Sequence, residues 1–391
     1  MLAMRALRQA EQTATRASGE PRARVAHMTS VHAALDGRIF SRECRTLVRA
    51  GYDVVIIAPG GEDRIVDGVR IRAVPIPRNR AQRVLVTAPA VVRSALRERC
   101  DVYHFHDPEL IPYGLLLRVL GKRVIYDAHE DVPKDVASKR YIPRSLRGPL
   151  AWLAGMLSRA CTRAFDANII AVPSIAGSVR GRRVVVRNYP VLDELLRVPL
   201  RPWSSRRRAA IYAGSISESR GLLQMLDAMG SAAIPQGTRL TLAGRFEDAA
   251  LAERAHEDPG WARVDYAGWT DEATLWRLMS DTKLGIVTLH PTPAFLDSMP
   301  MKLFEYMALG LPVVASDFPS WRSIVESSRC GMLVDPLDPG AIAVALGYLL
   351  WHPDEAEKMG RNGRQAVVSR FAWDSEAARL LALYADLCEP V

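Results

Sequence analysis

The chain has 391 residues, 49% hydrophobic and 24% charged, with a formal net charge of +9. This balance excludes a disordered or low-complexity polymer and fits a globular protein of about two or three domains. The positive charge suits nucleic acid, an anionic membrane surface or phosphorylated small molecules. No RNA- or DNA-reading motif accompanies the Arg clusters, so nucleic acid is not expected as a partner. The five cysteines, Cys44, Cys100, Cys161, Cys330 and Cys388, are odd in number, far apart and form no Cys-x-x-Cys. They read as reduced thiols and not as a disulfide or zinc framework. No apolar run has the length of a membrane span, and the N-terminus lacks the apolar core of a secretory signal. A cytoplasmic protein is expected.

In chain order, residues 1–23 read as an N-terminal extension. Short apolar runs at 25–28, 53–58, 69–74, 102–105, 123–126, 167–172 and 184–186 then alternate with helical patterns, among them 38–50, which Gly51 caps. The alternation predicts a parallel sheet covered by helices, spanning 24–190. Asn188-Tyr189-Pro190 opens a basic, Pro-rich stretch, 191–208, read as a linker. A second alternating set, at 209–213, 239–243, 264–267, 284–289, 312–315 and 331–334, predicts another such domain over 209–372. The final segment, 373–391, holds an amphipathic helix. The expected fold class is therefore α/β, with two Rossmann-like, doubly wound parallel sheets facing a cleft. Within the first domain, PLAWLAGMLSRACTRAF is expected to be a core helix with an Arg-lined outer face; a helix lying on a membrane surface is the alternative.

Four stretches carry the chemistry. DSMPMKLFEYMALGLPVVASD, 297–317, reads as loop, helix, turn and buried strand, with Pro300 opening the helix and Gly310 and Pro312 ending it. Asp297, Lys302 and Glu305 sit at its start. A helix N-terminus favours anions, so carboxylates there suggest hydroxyl groups beside an anion, as in a nucleotide sugar. Asp36-Gly37-Arg38 precedes a helix. There Gly37 would let a phosphate approach the backbone, or Asp36 would simply cap the helix. Tyr212-Ala213-Gly214-Ser215 ends a strand, and Arg220-Gly221 opens the next helix. His104-Phe105-His106-Asp107 ends another strand with both histidines on one face. His-x-His with nearby acids can hold zinc or iron; lining a cleft or packing locally is the alternative. There is no Gly-x-Gly-x-x-Gly after the first strand, no Gly-Lys-Ser/Thr phosphate loop and no Asp-x-Asp.

An acid, seven intervening residues and Glu, followed by Tyr-Met-Ala-x-Gly-x-Pro-Val-Val-Ala-Ser, resembles the donor-site motif of retaining glycosyltransferases of family GT4, which have the GT-B fold. The usual first acid is Glu; here it is Asp297. HFHDPELIP followed by VIYDAHED resembles the matching region of the same family. The resemblance covers most of the chain from Arg24 onwards. It implies transfer of a sugar from a nucleoside-diphosphate sugar to a hydroxyl, with no cofactor and no metal. Catalytic roles then fall to His129, Asp297, Arg220 and Lys302. Donor binding falls to Gly37, Gly214, Arg220, Asp297, Ser298, Met299, Met301, Lys302, Leu303 and Glu305. Asp36, Arg38, His106 and Asp107 would line the acceptor side of the cleft. Many family members carry a base where this chain has Ser215, so Arg220 and Lys302 would supply most of the positive charge. Arg245, Gly268 and Trp269 would border the nucleobase. A polysaccharide, a lipid-linked glycan or a natural product is the expected acceptor, with the protein resting on the inner face of the cell membrane in the lipid case.

Competing functions are a sugar-nucleotide 2-epimerase or a phosphorylase of the same fold, a metal-dependent hydrolase built on His104 and His106, and a non-catalytic binding protein.

Overall fold

The computed structural model describes residues 21–128, 131–138, 142–296 and 298–388. The chain divides into two compact units. One ends at Asn188 and takes back the C-terminal segment from Trp373; the other is Tyr189–Ala372.

The first unit is built on eight strands: β1 (Arg24–Met28), β2 (Asp53–Pro59), β3 (Arg64–Val66), β4 (Val69–Val74), β5 (Val102–Phe105), β6 (Arg123–Ala128), β7 (Ala167–Ile170) and β8 (Arg183–Val185). Their order is β3-β4-β2-β1-β5-β6-β7-β8. Every pairing is parallel except β3 with β4. Strand order reverses between β1 and β5, the switch point where doubly wound sheets leave a crevice. β1, β2 and β5 are almost wholly buried, as apolar runs covered by helices on both faces should be. The helix expected over 38–50 begins as a wide π-type turn, Ile39–Cys44, and becomes regular only at Arg45–Arg49.

The second unit carries β9 (Arg207–Ala213), β10 (Arg239–Ala243), β11 (Val264–Gly268), β12 (Thr282–Val287), β13 (Val313–Ser316) and β14 (Gly331–Val334). Their order is β11-β10-β9-β12-β13-β14 and every pairing is parallel. The reversal here falls between β9 and β12. One apolar cluster packs on each face of the sheet; the first contains the helix Met301–Ala308 and the second the helix Leu222–Gly230.

Two expectations are corrected. The stretch 191–208 is not a free linker. Leu192 and Leu195 enter one core of the second unit and Trp203 the other. Arg206 is buried and donates to the Leu309 and Gly310 carbonyls, at 3.2 and 3.4 Å, where the helix Met301–Ala308 ends. These carbonyls are orphans of the last helical turn, and a cation there also opposes the negative end of the helix dipole.

The helix Arg144–Thr162 is not a core helix with a polar outer face either. Its buried residues are Gly155, Ser158 and Thr162. Ser158 donates to the Ser178 carbonyl at 3.0 Å, and Thr162 to the Ser158 carbonyl at 2.7 Å. A Cβ on Gly155 would lie 2.9 Å from the Pro133 ring, so only glycine allows that approach. Trp152, Leu153, Met156 and Leu157 are 65, 40, 41 and 52% exposed. The small and polar side of this helix faces inward and its large apolar side faces out.

The last helix, Trp373–Cys388, groups with the first unit. Trp373 Nε1 donates to Thr46 Oγ1 at 2.8 Å, and buried Glu376 accepts from the Arg187 backbone at 2.9 Å.

Candidate active site

In the second unit, the loops after β9 and β12 meet beside the switch point. The Arg220 turn leads into Gly221, whose φ of 79° is left-handed. A Cβ at Gly221 would lie 2.2 Å from the Thr288 carbonyl oxygen, so the approach of the two loops requires glycine here on both grounds. His290, after β12, donates its backbone N–H to the Ser219 carbonyl at 2.8 Å, and its Nε2 lies 2.9 Å from Gln224 Oε1. Gly214 has φ 144°, and its carbonyl packs so closely on Gly244 that no side chain fits at the latter.

The helix Met301–Ala308 enters this corner N-terminus first. Leu303, Phe304, Tyr306, Met307 and Ala308 are fully buried, which anchors it at roughly 1.5–3 kcal/mol for each large apolar side chain. The Tyr306 phenol accepts from the Ala213 N–H at 3.0 Å and so ties the helix to the last residue of β9. Pro300 stands at the N-cap position and makes no side-chain cap bond to the first turn. The Lys302 ammonium donates to Glu305 Oε2 at 2.7 Å, and Glu305 is buried. Ser298 is set by its own bonds to the Phe295 carbonyl, at 3.0 Å from N and 2.9 Å from Oγ. Its carbonyl in turn accepts from Trp321 Nε1 at 2.7 Å. Arg220 stacks 5.5 Å over the Phe295 ring. It also borders Tyr212, whose phenol is pushed up by burial, with the Arg220 charge opposing that shift.

Gly214, Arg220, Ser298, Lys302 and Glu305 are thus brought together around the β9–β12 crevice: two cations, a helix start with Pro300 at its N-cap and one buried carboxylate. Such a corner can hold a diphosphate while the carboxylate receives hydroxyls. Leu303 contributes only backbone there, since its side chain lies in the core. Arg245 stacks 5.1 Å over Trp269, and both side chains are exposed beyond β10 and β11. Trp269 is therefore an accessible platform and not a packed core residue. Ser215 donates to exposed Glu247, so an acid sits beside the loop that follows β9. Asp297 and His129 lie outside the described residues.

In the first unit the expected acceptor-side residues are placed differently. Asp36 caps the π-type turn, accepting from the Arg38 and Ile39 N–H groups at 2.7 and 3.0 Å. Burial raises its pKa, but hydrogen bonds from His32 and from these two backbone groups outweigh burial and leave the carboxyl below its usual range. Gly37 has ordinary backbone geometry, and a Cβ there would make only a normal contact, so the backbone approach inferred for it is not demanded. Arg38 and His106 are corrected outright. Arg38 is buried, bidentate on Asp127 at 2.8 and 2.9 Å, and bound to the Val186 carbonyl. His106 is 1% exposed, with Nδ1 3.1 Å from Asp127 Oδ2 and Nε2 3.1 Å from His27 Nδ1. Asp107 is 2% exposed and closes the switch point, accepting from Thr29 Oγ1 at 2.8 Å and Ser30 N at 2.6 Å. These residues hold the first domain together from within.

The hydrolase alternative fails on the same ground. A hydrolytic metal needs an open position for water, and His104 and His106 are 0 and 1% exposed.

Sequence reading missed Tyr306, Gly221 as a steric requirement, Glu247, His27 and Glu43. Gly221 was signalled by its place at a strand-to-helix turn, and Tyr306 by its place in the motif after Glu305.

Comparison with known proteins follows this division. A family described as Glycosyltransferase Family 4 matches residues 37–191, and one described as Glycosyl transferases group 1 matches residues 207–352. The MMP alpha-(1->4)-mannosyltransferase of Mycolicibacterium hassiacum is 24% identical over 302 residues, covering 73% of this chain and 71% of that protein. The phosphatidyl-myo-inositol mannosyltransferase of Mycobacterium leprae is 26% identical over 351 residues, covering 85% and 88%. Among solved structures, the sucrose-phosphate synthase of Thermosynechococcus elongatus superposes with a TM-score of 0.73 at 20% identity, covering 93% of this chain and 98% of that one. With a matching family on each of two parallel-sheet domains, the chain belongs to the family 4, group 1 glycosyltransferases and has the GT-B fold.

Proposed function

We propose that this glycosyltransferase takes a hexosyl group from a nucleoside-diphosphate sugar and delivers it, with retention of anomeric configuration, to a hydroxyl of a lipid-linked acceptor. The observation that carries the donor reading is the corner where Arg220, Lys302 and the start of the helix Met301–Ala308 flank buried Glu305. Lys302 and Arg220, with the backbone of Met299 and Met301 at the start of the helix, would hold the diphosphate. Glu305, released from Lys302 as the phosphate arrives, would accept the ribose hydroxyls. Asp297 would bind hydroxyls of the transferred sugar and His129 would place it. Trp269 with Arg245 would stack on the base.

As the anomeric C–O bond breaks, negative charge grows on the departing phosphate. Groups already aimed at that oxygen stabilise the transition state more than the bound substrate, which is what raises the rate. The acceptor would attack from the face the diphosphate leaves, and the departing phosphate oxygen would take the acceptor proton. No protein base is required on this route, and no cofactor.

The lipid acceptor is favoured by the inverted helix Arg144–Thr162. Trp152, Leu153, Met156 and Leu157 are exposed on one stretch, with Arg144, Arg147, Arg159 and Arg163 around it. Aromatic and aliphatic side chains ringed by arginine suit an anionic bilayer surface. A lipid-acting relative, the phosphatidyl-myo-inositol mannosyltransferase, supports the same choice. No helix among the described residues is long and apolar enough to cross a membrane.

The test is turnover of a panel of α-linked nucleoside-diphosphate hexoses on anionic vesicles carrying a phospholipid or polyprenyl acceptor, with the product anomer read by NMR. An α-linked product at a rate unchanged by added Mg2+ is expected. A β-linked product would overturn the retaining assignment.

A further inference from the structure

Four side chains of the first unit converge: His27 and His106 share a hydrogen bond, while the Glu43 carboxylate has none. His27 and His104 are paired neighbours on β1 and β5, and His106 follows directly after β5. Their rings lie 4.6 Å (His27–His104), 4.6 Å (His104–His106) and 5.3 Å (His27–His106) apart. Glu43 reaches them from the π-type turn Ile39–Cys44. His27, Glu43 and His104 are 0% exposed and His106 is 1%.

Glu43 is the anomaly. Neither of its carboxylate oxygens has a hydrogen-bond partner. The neighbours are His27 Nδ1 at 3.8 Å, His104 Nδ1 at 3.9 Å and Arg38 Nε at 3.4 Å. Arg38 does not answer it, because its guanidinium is spent on both oxygens of Asp127 and on the Val186 carbonyl. A fully buried carboxylate without compensation costs several kcal/mol. Three imidazoles packed this closely cannot all be cationic, so lone pairs remain on the rings, and a bound ion would take over the His27 Nδ1–His106 Nε2 hydrogen bond of 3.1 Å.

We propose that His27 Nδ1, His104 Nδ1, His106 Nε2 and Glu43 Oε2 form a closed site for one divalent transition-metal ion of the zinc class. Their ligand atoms all lie within 4.8 Å of one another. A tetrahedral ion with bonds of about 2.0–2.1 Å needs its ligands roughly 3.4 Å apart. Three of the six separations, 3.1, 3.8 and 3.9 Å, bracket that value, and the others lie within 4.8 Å. Three imidazoles and a carboxylate suit zinc, cobalt or nickel and disfavour magnesium or calcium.

The surroundings match what such a site needs. His106 Nδ1 sits 3.1 Å from Asp127 Oδ2, the carboxylate–histidine pairing that orients a ligating imidazole, and Arg38 fixes Asp127. The Tyr384 hydroxyl is 2.9 Å from His104 Nδ1 and 3.4 Å from His27 Nε2, so ligation by His104 Nδ1 would replace its bond to Tyr384 and shift the phenol toward His27. Four protein ligands and no exposed position make the ion structural. It would tie β1, β5 and the π-type turn into one core beneath the last helix, independently of the sugar-transfer chemistry.

The full-length protein would be expressed with zinc supplied, and its metal content measured by plasma mass spectrometry. The expected content is one zinc per chain, and chelation should lower the first unfolding transition. Cobalt added to the chelated protein should give the visible absorption of a tetrahedral site. Glu43→Gln, which keeps the shape and removes the charge, should lose the stoichiometric ion. A content below about one-tenth of an ion per chain, with no cobalt absorption in the wild type, would overturn the proposal. So would unaltered zinc content in Glu43→Gln. The wild-type measurements stand even if that variant fails to fold.

Discussion

Tyr306→Phe isolates the contact that sets the geometry of the donor corner. The substitution removes one oxygen and keeps the ring, which fills the space over Gly285: a Cβ on that glycine would come 2.4 Å from the Tyr306 ring. No cavity is created. What is lost is the acceptor for the Ala213 N–H at 3.0 Å, in a place with no access to water. A buried donor left unpaired costs about 1–3 kcal/mol. For a domain of this size each kcal/mol moves the midpoint by roughly 2–4 °C, so a loss near 2 kcal/mol would lower it by about 4–8 °C. Ala213 ends β9 immediately before Gly214, so nucleoside-diphosphate affinity should fall with stability. Thermal unfolding, amide exchange at Ala213 and diphosphate titration read the three consequences. A midpoint within 1 °C of wild type, with Ala213 still protected from exchange, would refute the claim that this bond ties the helix to the strand.

Three more outcomes are expected. Gly221→Ala forces a left-handed backbone, at about 1–2 kcal/mol, and a clash with the Thr288 carbonyl; diphosphate affinity should drop by an order of magnitude or more in titration. Trp152→Glu with Leu157→Glu should abolish sedimentation with anionic vesicles and leave the unfolding midpoint within a degree or two, since both side chains are exposed. Glu98 is affected first by burial, which raises its pKa, but hydrogen bonds from Arg72 and Arg70 prevail and hold it below its ordinary 4.5. Its stabilisation is therefore present above that pH and is lost as pH falls through the lower folded value. Glu98→Gln should lower stability near neutrality, where the ionised carboxylate contributes, change little at low pH, and so flatten the acid side of the stability–pH curve.

Strands were legible because buried parallel strands are short β-branched runs between breakers; 69–74, 102–105, 239–243 and 331–334 match the observed β4, β5, β10 and β14. β3 was missed although Asp67-Gly68, both at positive φ, is a hairpin signature. Exposed Ile65 and its charged neighbours hid the strand. The Arg144–Thr162 helix misled because composition says which residues are apolar and not which side meets the protein; Gly155, Ser158 and Thr162 form the inner face because only small residues allow that approach. In the donor corner, Lys302 and Glu305 were legible as charges at the start of a helix, whereas Arg220 came from the family resemblance. The Asp127 network was not, since its partners, Arg38 and His106, lie 89 and 21 residues away in the chain. Only the fold brings them together.

The most direct test of the donor site is thermal unfolding of wild type and Glu305→Ala against UDP, GDP, ADP and dTDP. A ligand at about 100 times its dissociation constant stabilises by roughly 2.7 kcal/mol, a shift of several degrees. The donor reading predicts a shift with one diphosphate in the wild type and its loss in Glu305→Ala. An equal shift in both proteins, or none with any diphosphate, would contradict it.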